Sequence, residues 1–97
     1  MVVAISVFEL HLPGTHSLKA KRKIVKGLIE RIHQRYRVSI AETAMHDLHQ
    51  RAEIALALIA QNERQAKQQL AAIRTLAEQE PEAMLLGWDP QLLEGWS

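Results

Sequence analysis

Four cations, Lys19, Arg22, Lys23 and Lys26, stand at i, i+3, i+4 and i+7 in the stretch "HSLKAKRKIVKGL". That spacing gathers side chains onto one face of a helix. Their chemistry is that of phosphate recognition, in which ammonium and guanidinium groups neutralise a nucleic-acid backbone without reading its bases. His33 continues the same face two turns on. Lys21 falls outside the series: helical arithmetic points it toward the apolar side, where it must lie past the end of a sheet or bury its stem and snorkel near the first loop. All of these cations sit where a helix begins, and the positive end of the dipole there disfavours exposed cations by about 0.3–1 kcal/mol each. A bound phosphate turns that cost into a gain.

The loop feeding this helix, "HLPGTHS", belongs to the same chemistry. It delivers backbone N–H groups to the helix N-terminus, a natural place for an anion, and Thr15, His16 and Ser17 add further hydrogen-bonding groups. The candidate anion- or RNA-binding residues are therefore Gly14, Thr15, His16, Ser17, Lys19, Lys21, Arg22, Lys23 and Lys26. The competing account is a solvated face, or cations neutralised by Glu78, Glu80 and Glu82 from the acidic second half. Residues 1–37 carry eight Lys/Arg against two acids, whereas residues 38–97 carry four against nine. The molecule is thus expected to be bipolar, which suits either a polyanion-binding face or two halves that attract each other.

Other chemistries find little support. The chain has no cysteine, which removes disulfides, thiolate nucleophiles and Cys-based metal sites. His46, Asp47 and His49 have side chains that coordinate metal, but a loop with two His is more often a polar loop, and no metal site or cofactor is expected. Ser6, Ser17, Ser39 and Ser97 have no nucleophile elbow around them. No enzyme is expected, the remaining alternative being one that acts on a small phosphorylated substrate at the start of the first helix. The opening "MVVAISVFEL" has no basic leader and reaches Glu9 early for a signal peptide, and no apolar run approaches the roughly 20 residues of a membrane span, so the expected location is cytoplasmic, with no membrane partner.

Ninety-seven residues suffice for one domain with one core. "VVAISVFELHL" reads as a first strand ending at Pro13-Gly14. Leu18, Val25, Leu28, Ile29, Ile32 and Tyr36 then trace a helical stripe, with Ser17 placed to cap it. "RVSIAETA" and "RAEIALALIA" read as two further strands. Asn62 and Gln65 resemble a capping box before a second helix along Ala66, Leu70, Ile73, Leu76 and Ala77, which must end by Pro81. A short last strand is expected over about Ala83 to Leu86, giving a domain over residues 1–87 and a C-terminal tail over 88–97. The order βαββαβ predicts an α+β, ferredoxin-like fold, with a four-stranded antiparallel sheet and both helices on one face.

Strand parity predicts which side of the sheet each residue takes. By bulk, Val3, Ile5, Val7, Val38, Ile40, Ile54, Leu56 and Leu58 should face the helices. The opposite face would then carry Ala4, Ser6, Phe8, Ala41, Ala55, Ala57 and Ile59, a pale surface unlike the charged alternation of a wet sheet. It is expected to be covered, by a second copy of the chain or by the tail with Trp88 and Trp96. Phe8 is the only aromatic in the first three strands, so base stacking on the sheet, as RNA-recognition modules do it, is not expected. The partners this predicts are RNA or a ribosomal subunit, bound through phosphates, and a homodimer.

The segment L-P-x-x-x-S-L-K-x-K-R, here Leu12, Pro13, Ser17, Leu18, Lys19, Lys21 and Arg22, is joined to a later D-L-x-Q-R-A, here Asp47, Leu48, Gln50, Arg51 and Ala52. Together they resemble the YlxP-like family of small bacterial proteins, a domain of unknown function, over about Val2 to Leu86. His49 stands where those relatives often carry Trp. The resemblance implies a ferredoxin-like fold and no established activity. In several bacteria the family's genes lie among those for translation initiation and ribosome maturation, which implies by association a ribosome-linked or RNA-binding role.

Overall fold

The computed structural model describes residues 1–95. Its elements follow the order β1 (Val2–His11), α1 (Leu18–Arg35), β2 (Val38–Ala44), β3 (Arg51–Ala60), α2 (Glu63–Glu78) and β4 (Met84–Leu93). The four strands form one sheet in the order β2-β3-β1-β4, every pair antiparallel. α1 packs over β2 and α2 over β1, β3 and β4. This is the ferredoxin-like α+β arrangement that the element order predicts.

Both helices start where local chemistry starts them. The Ser17 hydroxyl accepts from the Ala20 N–H at 3.1 Å, and Asn62 Oδ1 accepts from the Gln65 N–H at 2.8 Å. Each satisfies one of the orphan donors of a first turn. The Gln65 side chain returns the bond to the N–H of Gln61, at 2.7 Å, one residue earlier than a capping box requires. The apolar stripes bury Val25, Leu28 and Ile32 from α1, and Ala66, Leu70, Ile73 and Ala77 from α2.

β1 corrects the expected parity. The register sets Ala4 opposite Leu58, Ser6 opposite Leu56 and Phe8 opposite Ile54, and directly opposed residues share a face. Since Leu58, Leu56 and Ile54 lie under the helices, Ala4, Ser6 and Phe8 lie there too, fully or almost fully buried, while Val7 is exposed. Val3, Ile5 and Val7 face outward instead. Bulk misled because the outer face of β1 is apolar from Val3 to Val7, and the polar residues of that parity, Glu9 and His11, come only at the end of the strand. Pairing with β3 decides the matter. For β2 and β3 the expected parity holds: Ala41, Ala55, Ala57 and Ile59 lie on the outer face.

The last strand is also longer than expected, running to Leu93 and pairing with β1 back to Val3. The residues from Trp88 to Leu93 therefore belong to the sheet. Gly87, at φ +62°, sits at an irregularity in the β1–β4 register. Such a conformation suits glycine, and a bulge re-aims the side chain beside it. Trp88 consequently turns inward, its ring centroid 5.3 Å from that of Phe8, and does not lie across the outer face. Trp96 falls outside the described residues.

Candidate nucleic-acid interface

α1 presents Lys19, Arg22, Lys23 and Lys26 to solvent, gathered around a shallow depression that also touches Ser17 and Ala20. The ion pairs among the described residues are Lys21–Glu42, Arg31–Glu80, Arg51–Glu9, Lys67–Glu63 and Arg74–Glu78. The four cations of the depression take part in none of them. Glu78 and Glu80, the acids best placed in sequence to neutralise this face, are engaged by Arg74 and Arg31. The helix also has no acid in its first turn. What remains is a positive surface along the N-terminal half of α1 whose four cations form no ion pair among the described residues.

Lys21 does not belong to that surface. Its side chain is completely buried, and Nζ itself is enclosed. It donates to the carbonyl oxygens of Met45 at 2.7 Å, His46 at 3.4 Å and Arg51 at 3.1 Å, and lies 2.9 Å from Glu42 Oε2. Lys21 thus ties α1 to the loop between β2 and β3, not to the loop after β1. A buried ammonium is tolerable only when its donors are met in this way. Glu42 was not singled out from the sequence, yet the signal was present. It shares the parity of Val38 and Ile40, so an acid on the helix-facing side of β2 required a cation, and Lys21 on the apolar side of α1 required an acid.

The loop before α1 is partly committed to structure. Thr15 is buried and its N–H donates to the Leu12 carbonyl at 3.1 Å. The Gln50 backbone and side chain hold Leu12 and Pro13. The Ser17 hydroxyl serves as the cap. Gly14 and His16 face solvent, and with the four cations they make up the part of the predicted site that is open to a ligand.

Beside the basic face, a cleft of about 680 Å³ runs between α1 and the turn from α2 to β4. Lys23 and Arg31 line one side and Glu80 and Glu82 the other, over a floor of Ala20, Ile24 and Gly27. Two carboxylates in its wall make the cleft a poor receptor for a small phosphate. In the β2–β3 loop, the His46 ring lies 3.2 Å from the Glu42 carbonyl oxygen, and no group of three or more metal-ligating side chains gathers among the described residues. Among those residues no helix is long and apolar enough to cross a membrane.

An antiparallel sheet under two helices defines a ferredoxin-like α+β domain, here with a cationic face on the first helix. Residues 3–89 match the family described as "Protein of unknown function (DUF503)", and the chain belongs to that family. No curated protein matches it. Among solved structures it is similar to the solution NMR structure of LFR1 1, a de novo designed protein with ferredoxin fold. The two are 19% identical with a TM-score of 0.48, covering 100% of this chain and 92% of the designed one.

Proposed function

We propose that this is a non-enzymatic RNA-binding accessory protein that grips the phosphate backbone of a structured RNA through the outer face of α1. The observation that carries the reading is that Lys19, Arg22, Lys23 and Lys26 share one exposed helix face and take part in none of the ion pairs among the described residues. Lys19, in the first turn of α1, is disfavoured by the helix dipole in the free protein and gains when an anion binds there. Phe8, the one aromatic of β1 to β3, is buried, so binding relies on backbone charge and shape, with little sequence preference. The resemblance to YlxP-like proteins, with its gene context, directs the choice of RNA to the ribosome.

The test is binding of the purified chain to bacterial ribosomal subunits and to a structured ribosomal RNA fragment across a salt series, with the Lys23→Glu/Lys26→Glu variant alongside. Saturable binding with a steep salt slope, lost in the variant, is the expected result. Absence of binding at low salt returns α1 to a solvated face. The outer face of the sheet supports a second and compatible reading, as a surface for assembly.

A further inference from the structure

Among the described residues, the exposed large hydrophobic ones are Met1, Val7, Leu48, Ile59, Met84, Leu86 and Leu93. Five of these, Val7, Ile59, Met84, Leu86 and Leu93, share the sheet face that the helices leave bare. On the same face lie Val3, Ile5, Ala41, Ala55 and Ala57. The registers arrange its middle in three rows across β2, β3, β1 and β4: first Ile59, Val3 and Leu93; then Ser39, Ala57, Ile5 and Gln91; then Ala41, Ala55, Val7 and Asp89. The β2 end of the first row is Arg37, beside Ile59, and it shares a shallow depression with Val3 and Ile59. Past the third stand Glu53 and Glu9, the latter held by Arg51. The face is apolar at its centre, cationic at one end and acidic at the other.

We infer that this face binds a second copy of the chain, sheet against sheet, about a two-fold axis perpendicular to the strands that passes near Ala57 and Ile5. That axis turns the rows end for end while keeping β2 over β2 and β3 over β3. Ile59, 68% exposed, then lies over Ala55 of the other copy and Val3 over Val7, so a protruding side chain meets a small one in the β3 column. Arg37 passes over Ala41, which leaves room for its long side chain to reach Glu53. Charge and shape agree on this axis in the β2 and β3 columns, while in the β4 column Leu93 meets Asp89. The alternative axis, parallel to the strands, stacks Ile59 on Val3 and sets Arg37 over Leu93, which matches neither volume nor charge.

The area is sufficient. Four strands about 4.8 Å apart and three rows about 6.7 Å deep give a footprint of roughly 19 by 20 Å. With side-chain relief, such a footprint removes roughly 500–600 Å² per copy, close to the total of about 1,000 Å² that a specific interface needs. A face of this size supports a reversible dimer. Because the helices cover the opposite side of each sheet, the two basic faces of α1 remain outside the contact, and assembly and RNA binding are independently testable.

Sedimentation velocity of the full chain over a concentration series provides the test. The wild type should pass reversibly from monomer to dimer. Ala57→Glu sets two carboxylates face to face at the axis and should raise the dissociation constant by about 100-fold, with an unchanged circular dichroism spectrum because Ala57 faces away from the core. Arg37→Glu should weaken the dimer by about tenfold, and Arg37→Glu combined with Glu53→Arg should restore it. If Ala57→Glu misfolds, this charge swap carries the test alone. A wild type that stays monomeric overturns the inference and leaves the face to a different chain. An Ala57→Glu variant that folds and still dimerises, or a charge swap without rescue, overturns the proposed arrangement.

Discussion

Lys21 and Lys23 are two residues apart on one helix, and they show what a lysine can do from opposite sides of it. Lys21 is enclosed, its ammonium shared among three carbonyl oxygens and Glu42. Lys23 stands in water with Lys19, Arg22 and Lys26 and has no carboxylate partner among the described residues. The first charge is committed to folding, since it secures the β2–β3 loop against α1. The second is left uncommitted, and an uncommitted charge is available to a ligand. The type of a residue therefore says less than the side of the helix on which the apolar stripe places it.

The contrast breaks most visibly at Lys21. Lys21→Met keeps the length of the side chain but leaves the carbonyl oxygens and Glu42 without their donor. Thermal or urea unfolding should show a loss of about 3 kcal/mol, or a fall in Tm of about 15 °C for a domain of this size. RNA binding per folded molecule should be unchanged. A loss within experimental error would mean that the enclosed ammonium is dispensable. The reverse pattern is expected for Lys23→Glu/Lys26→Glu. Its stability should hold or rise slightly, because the like-charge neighbours Lys19–Lys23 and Arg22–Lys26, each four residues apart on α1, are removed. Its affinity for ribosomal RNA should fall by about tenfold or more, and the salt slope should decrease by about one for each lysine lost.

A smaller change sharpens the account of the buried side. Met45 holds φ at 65°, a left-handed conformation that costs a residue with a Cβ about 1–2 kcal/mol, and its carbonyl is one of the acceptors of Lys21. Met45→Gly should relieve that strain at some cost in chain entropy, raising stability by about 0.5–1 kcal/mol. The gain should shrink when Lys21→Met is already present, which a double-mutant cycle measures. The smallest effect is expected at an exposed pair. The hydrogen bond from Arg51, aided by its charge, holds the Glu9 carboxyl below its ordinary range. A carboxyl lowered in the folded state adds stability above its unfolded pKa, and that contribution disappears as pH falls through the folded value. The difference in unfolding midpoint between wild type and Glu9→Gln should therefore be present at neutral pH and vanish in acid.

Much of this was legible without coordinates. The helices, their caps and the order of elements followed from apolar spacing, from Ser17 and Asn62, and from the Pro13-Gly14 turn, because these signals are local. The basic face was legible for the same reason, since four cations at helical spacing share a side wherever the helix is put. Lys21 was recognised as the exception, but its destination was not, because Met45, His46 and Arg51 come to it from a loop more than twenty residues away. The tail was misjudged at Gly87. A glycine before Trp88 and Pro90 reads as an ending, and here it makes a bulge that lets the strand continue beside β1.

The division runs along range of interaction. Composition and periodicity determined that this chain forms one α+β domain with a cationic first helix, because hydrophobic period, capping and charge spacing act within a few residues. Partnership across the sheet determined the rest. An interior strand that is apolar on both faces over most of its length, with only Glu9 and His11 marking its outer side, has a weak preference of its own, and pairing of Ala4, Ser6 and Phe8 with Leu58, Leu56 and Ile54 sent them to the core and left Val3, Ile5 and Val7 outside. The same pairing gathered the apolar outer face and set Glu42 and the β2–β3 loop where they enclose Lys21. These outcomes depend on which strand lies beside which, and a one-residue change in register would reverse them.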